Sequence, residues 1–134
     1  MSKKKVLFIC THNSARSQMA EGLLNALKGD EYQAYSAGTE KTFVKPEAIK
    51  VLSEIGIDIS HHYSKTIDEF KDDYFDIVIT VCDRARETCP FYPNAGKIIH
   101  HSFADPSSIK AEPQRTEAFR RARDQIKQWI EKEF

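Results

Sequence analysis

The sequence predicts an α/β fold: a four-stranded parallel sheet flanked by helices on both faces. Short β-rich runs alternate with stretches of helical periodicity along the chain. Two of the runs, Val6 to Cys10 and Asp76 to Cys82, are almost continuously apolar, as strands covered on both faces must be. The C-terminal stretch carries an apolar stripe at helical spacing. Successive parallel strands joined by helices then follow from the short, right-handed connections such chains make.

Each element has its own signal. Val6-Leu7-Phe8-Ile9-Cys10 is the first strand, behind the solvated basic tip Ser2-Lys3-Lys4-Lys5. A helix begins near Ser17, with Met19, Ala20, Leu23, Leu24 and Leu27 on one face and Gly29 as terminator. Tyr32 to Ala37 reads as a second strand, ended by Gly38. Pro46 fits the first turn of a second helix, in which Ala48, Ile49, Leu52 and Ile55 keep helical spacing until Gly56. Residues 57–75 are mixed, with a short helix around Ile67 and Phe70. Asp76 to Cys82 is the third strand and Lys97 to His101 the fourth. Phe119, Ala122, Ile126, Trp129 and Ile130 form the stripe of the last helix, and the charges of Arg120 to Asp124 its solvated face.

Composition narrows the function. The 134 residues are one domain's worth of chain, with 20 basic and 20 acidic residues, so a basic nucleic-acid surface is not indicated. Apolar residues make up 40%, enough for a packed core. No run approaches the roughly 20 apolar residues of a membrane helix. The first apolar run is also too short for a signal-peptide core of about 7–15 residues. A cytoplasmic protein with its three cysteines as resting thiols is expected, and a monomer.

In a parallel sheet the ligand sits beyond the carboxyl ends of the strands, where Cys10 and Cys82 fall. Cys10-Thr11-His12-Asn13-Ser14-Ala15-Arg16-Ser17 is a Cys-x5-Arg-Ser loop between a strand and a helix. Such a loop turns successive backbone N–H groups inward as an oxyanion nest, and the helix adds its positive N-terminal end. Arg16 supplies a planar fork for two oxygens of a tetrahedral anion. The same positive field favours a thiolate at Cys10, to which the Ser17 hydroxyl can donate. The alternative, a buried cysteine followed by a polar turn and a helix cap, does not account for the whole set. Asp105-Pro106 follows the fourth strand in a loop, where an acid can protonate a leaving oxygen over the nest.

Cys10 to Ser17, together with Asp105-Pro106, resembles the low-molecular-weight tyrosine phosphatase fold. Ser17-Gln-Met-Ala-Glu-Gly22, Tyr35-Ser-Ala-Gly38, Gly56-Ile-Asp-Ile-Ser60 and Val81-Cys82 with Cys89-Pro90 are similar to thioredoxin-coupled arsenate reductases, which use that scaffold to reduce arsenate to arsenite. The resemblance implies that Cys10 attacks arsenate held by residues 11–17 and that Asp105 protonates the departing oxygen. Cys82 then attacks Cys10, Cys89 attacks Cys82, and reduced thioredoxin restores the thiols. No bound cofactor is implied; phosphate and sulfate would be oxyanion analogues. The chemistry is consistent, because arsenate reduction needs two electrons and phosphate-ester hydrolysis needs none. The residues alone leave a glutaredoxin or mycothiol donor open as an alternative to thioredoxin. If 82–89 were helical, its two cysteines would lie about 10 Å apart. A disulfide needs Cα atoms within about 7 Å, so that segment would unwind on oxidation.

Two other functions stand beside this one: a low-molecular-weight tyrosine phosphatase working through a Cys10 phosphoenzyme, and an oxyanion- or redox-sensing module. Asp105-Pro106 is followed by Ser107-Ser108 rather than the aromatic residue common in such phosphatases, and a sensor needs no acid. His12 stands where many relatives carry Gly, so the imidazole must point outward, and Ala15 stands where many carry Cys. A subset of the family binds potassium through four residues. Asn13, Glu21 and Ser36 match three, and Lys65 stands at the fourth, where its ammonium would replace the cation by pairing with Glu21. The pairs His61-His62 and His100-His101 are not read as metal ligands, because adjacent residues on a strand face opposite ways. His62 is given no role, and Trp129 is read as core.

Overall fold

The computed structural model describes residues 3–81 and 94–134. Strand β1 runs Lys4–Cys10 and β2 Tyr32–Gly38, with helix α1, Arg16–Lys28, between them. Helix α2, Pro46–Ser53, and a 3₁₀ turn, Ile67–Phe70, lead to β3, Phe75–Thr80. Then come β4, Ala95–His100, a second 3₁₀ turn, Pro106–Ser108, and helix α3, Gln114–Glu133. The sheet order is β2-β1-β3-β4, and every pairing is parallel. Phe8 lies opposite Ser36 on one side and Ile79 on the other, and Cys10 opposite Gly38. The order reverses direction between β1 and β3, which is where such sheets open a crevice at their carboxyl edge.

Val6 to Cys10 are all buried, as a central strand requires. The inner faces of α1 and α3 close over the sheet with Met19, Leu23, Leu24, Phe119, Ile126 and Ile130. Burying each such side chain stabilises by roughly 1.5–3 kcal/mol. Gly22 lets α1 meet α2 and its following loop closely: a Cβ there would sit 2.6 Å from Ile59 Cγ2. Gly56, at φ 82°, ends the turn after α2, and Ile57 N donates back to Leu52 O.

Several boundaries differ from expectation. β1 starts at Lys4 and β4 at Ala95, because the parallel ladder extends past the apolar residues. Leu27 is exposed, since the last turn of α1, from Asn25, faces solvent. Ile55 lies beyond α2 and is also exposed. Trp129 is partly buried against the core, where its ring stacks on His101 at 4.8 Å. Cys82 and Cys89, with the expected unwinding between them, lie outside the described residues.

Candidate active site

Cys10 ends β1, and the chain turns through residues 11–15 into α1. The segment after β2 holds that turn from outside. Thr39 N donates to Cys10 O (3.3 Å), Glu40 N to Thr11 O (2.9 Å), and Lys45 N to Ser14 O (2.8 Å). The hydroxyls of Thr42 and Ser64 both donate to His12 O, each at 3.0 Å. With its carbonyls drawn outward, the turn leaves the amides of Ser14 to Arg16 without a backbone acceptor among the described residues. That is the arrangement of an anion nest. Helix α1 has no side-chain cap, so its N-terminal end adds to the same field. Gly38 permits the close approach: a Cβ there would lie 2.7 Å from Thr11 O and 2.9 Å from Asn13 N.

The hydrogen bonds behind the nest have fixed directions. Lys65 N and Gln18 Nε2 both donate to Asn13 Oδ1, at 3.0 and 2.8 Å. Asn13 Nδ2 therefore faces Ser17 and donates to its Oγ at 2.8 Å. The Ser17 hydroxyl, already an acceptor, has its own proton for Cys10 Sγ, 2.9 Å away. Gln18 Nε2 also donates to the carbonyls of Asn13 and Tyr63. Its Oε1 therefore accepts, and His62 Nδ1, 2.9 Å away, carries the proton. His62 Nε2 then faces Glu21 Oε2 at 3.6 Å. Burial lowers the His62 pKa to about 4, with the charges of His61 and Lys65 adding to the effect. Burial raises that of Glu21, opposed by the Ser36 hydroxyl, Lys65 and His61.

In front of the nest a cavity of about 300 Å³ is lined by Cys10, His12, Ser14, Ala15, Arg16, Thr42, Phe43, Lys45, Asp105 and Ser107. Arg16 reaches across it: Nη1 donates to Phe103 O at 3.0 Å, and Nη2 lies 3.6 Å from Asp105 Oδ2. Asp105 Oδ1 accepts from the amide and the hydroxyl of Ser107, at 2.9 and 2.7 Å. Burial opposes ionisation of Asp105, but Ser107 and the Arg16 charge together hold its pKa below the ordinary carboxylate value.

The structure thus gathers Cys10, His12, Ser14, Ala15, Arg16 and Asp105 around one cavity. Thr11, Asn13 and Ser17 lie behind it, with their side chains buried. The left-handed backbone falls on Asn13, at φ 50°, and not on His12, so the absence of glycine at 12 carries no strain. The His12 imidazole points outward to Glu40 Oε2 at 3.1 Å, as expected. Lys65 Nζ donates to Tyr63 O at 3.0 Å and lies over the Tyr63 ring. It acts on Glu21 through space and makes no ion pair with it within 4.0 Å; the Ser36 hydroxyl donates to Glu21 Oε1 at 2.6 Å. Sequence reasoning missed Gln18, Thr42, Phe43, Lys45, Ser64 and the Phe103 carbonyl, and gave His62 no role. The signal for Gln18 was a long polar residue beside the apolar face of α1; a carbonyl carries none.

A thiol at the base of an anion nest, with a guanidinium and a carboxylate across the cavity, is an arrangement with the chemistry to attack a tetrahedral oxyanion. The family model for low molecular weight phosphotyrosine protein phosphatases matches residues 5–133, and the chain belongs to that family. Within it, the chain is 44% identical over 127 residues to an arsenate reductase of Halalkalibacterium halodurans, covering 94% of this chain and 91% of that one. It is 45% identical over 131 residues to arsenate reductase 2 of Staphylococcus epidermidis, covering 98% and 96%. A solved arsenate reductase in the phosphate-binding state superposes with TM-score 0.82 at 37% identity, covering 96% of this chain and 95% of that one. The thioredoxin-dependent arsenate reductase of Corynebacterium glutamicum superposes with TM-score 0.67 at 28% identity, covering 97% of this chain and 61% of that one.

Proposed function

We propose that this chain reduces arsenate to arsenite. The observation that carries the reading is Cys10 Sγ, held 2.9 Å from the Ser17 hydroxyl at the base of a nest, with Arg16 and Asp105 across the cavity. Relatives named arsenate reductase over nearly the whole chain support it. The Cys10 thiolate attacks arsenic, and one arsenate oxygen leaves as water with a proton passed by Asp105. Cys82 thiolate attacks the Cys10 sulfur. The sulfur–arsenic bond breaks with its electron pair going to arsenic, which departs as arsenite. Cys89 attacks Cys82, frees Cys10, and leaves a Cys82–Cys89 disulfide that a thioredoxin dithiol reduces.

The enzyme works as a cytoplasmic monomer with no bound cofactor, and potassium does not change its rate, because the Lys65 ammonium already supplies a charge beside Glu21. Among the described residues, no helix is long and apolar enough to cross a membrane. The test is single substitution of each cysteine by serine. Arsenate turnover with thioredoxin requires all three thiols; turnover by Cys89→Ser would overturn the relay.

The phosphatase reading keeps one support of its own: a low molecular weight protein tyrosine phosphatase from T. tengcongensis superposes with TM-score 0.81 at 28% identity. Hydrolysis of an aryl phosphate needs Cys10 and not Cys82 or Cys89. The same three variants therefore separate the two activities.

A further inference from the structure

The cavity mouth holds a second cation that the chemistry above does not use. Lys45 precedes Pro46, which confines it to extended backbone, and it sits at φ −65°, ψ 131° as the residue before α2. Its amide is fastened to Ser14 O, so the backbone that carries this side chain is tied to the nest itself. The Lys45 ammonium lies 4.7 Å from the centre of the Phe43 ring, and both residues line the cavity with Arg16 and Cys10. Phe43 is 60% exposed and packs no core; its ring face is what the ammonium meets. Among the described residues Lys45 has no carboxylate within 4.0 Å. The acids around it are engaged elsewhere: Glu40 with His12, Glu47 with Arg115, and Asp105 with Arg16 and Ser107.

We propose that Lys45, held at the mouth by Phe43, draws dianionic oxyanions into the nest and sets their affinity. A partly buried ammonium that forms no ion pair, and acts on Glu47 only through space, favours a doubly charged ion over a singly charged one on such a rim. It touches neither the nucleophile nor the leaving oxygen. Its effect falls on substrate capture, so it appears in KM and in the dependence on ionic strength. The proposal rests on the site binding a tetrahedral oxyanion, and the experiment separates the two ideas.

The readout is the rate at which iodoacetamide alkylates Cys10 in a Cys82→Ser/Cys89→Ser background, with inorganic phosphate as protectant. This needs no reductase turnover. Wild-type Lys45 gives protection that weakens as sodium chloride is raised from 20 to 300 mM, because exposed charges are screened over about 10 Å at 0.1 M salt. Lys45→Gln raises the half-protecting phosphate concentration about fivefold at low salt, the size expected of one charge near a dianion in high dielectric. It also flattens the salt dependence, and Lys45→Arg restores both. Phe43→Ala, at an exposed position, leaves the charge unanchored and gives a smaller rise in the same direction. Equal protection and equal salt slope in Lys45→Gln and wild type would overturn the proposal. Absence of any phosphate protection with Lys45 intact would overturn the oxyanion reading instead.

Discussion

Gln18 offers the sharpest test of how the nest is held. It is fully buried, and its amide nitrogen donates to Asn13 O, Asn13 Oδ1 and Tyr63 O at 3.2, 2.8 and 3.0 Å, while its oxygen accepts from His62. Gln18→Leu keeps the volume and deletes the contacts of two amide protons and one acceptor. At a net of about 1 kcal/mol for each of those three groups, the loss is about 3 kcal/mol. For a domain of this size that lowers Tm by about 10 °C. The same bonds oppose the cost of left-handed backbone at Asn13, about 1–2 kcal/mol for a residue with a Cβ. Freed from them, Asn13 no longer fixes the Ser17 proton toward Cys10, and kcat/KM for arsenate falls at least tenfold. Urea melts and steady-state kinetics read the two effects separately. Because Gly is at ease at φ 50°, the stability loss from Gln18→Leu should be smaller by about 1 kcal/mol in an Asn13→Gly background. A Tm drop under 3 °C with unchanged kcat/KM would refute the reasoning.

Gly38→Ala places a methyl against backbone atoms of the nest, which have no room to yield. It should abolish phosphate protection of Cys10, with far-ultraviolet circular dichroism showing the fold retained. His62 has a folded pKa of about 4 against an ordinary 6.5, so the native state binds fewer protons there than the unfolded chain. Its contribution is complete above pH 6.5 and is lost as pH falls toward 4. Replacing it by Gln removes that term, so melts of wild type and His62→Gln should converge by roughly 1–2 kcal/mol over that window, after discounting for solvent screening. Parallel pH curves would count against it. Asp105→Asn should lower kcat for arsenate by 10²-fold or more while leaving alkylation of Cys10 unprotected by substrate as fast as in wild type.

The parallel sheet was legible because Val6 to Cys10 and the run from Asp76 could be nothing but covered strands, and the alternation around them fixes how they connect. The geometry of the Cys10 to Ser17 loop was legible for a different reason: it is local, eight residues in one stretch. Leu27 and Ile55 misled because helical spacing says which side chains share a face, not where the neighbouring element stops. What holds the nest was hidden for a deeper reason. Gln18 meets Tyr63 and His62 only once the loop after α2 folds back over α1, and Arg16 meets the Phe103 carbonyl across 87 positions of chain. A carbonyl has no signature in a sequence, so no periodicity could have pointed to it.

If Asp105 is the acid of the proposed reaction, the contacts of Arg16 bear on how it acts while its pKa is held low. The guanidinium is shared between Phe103 O and the Asp105 carboxylate, and Ser107 donates twice to the same carboxylate. The Arg16 charge and both Ser107 donors favour the charged form, which has no proton to give. A dianion entering the nest competes for the same guanidinium with twice the charge and with fork geometry that a lone carboxylate edge at 3.6 Å does not match. As Arg16 turns to the substrate, Asp105 loses its cation and gains a negative neighbour, and both changes raise its proton affinity. In the proposed reaction the proton it needs is taken up from water as the dianion binds, so that the substrate prepares the acid. A half-exposed carboxylate fits that proposal: burial alone would raise its pKa permanently, at a cost in stability, whereas an exchangeable arginine would raise it only when there is an oxygen to protonate.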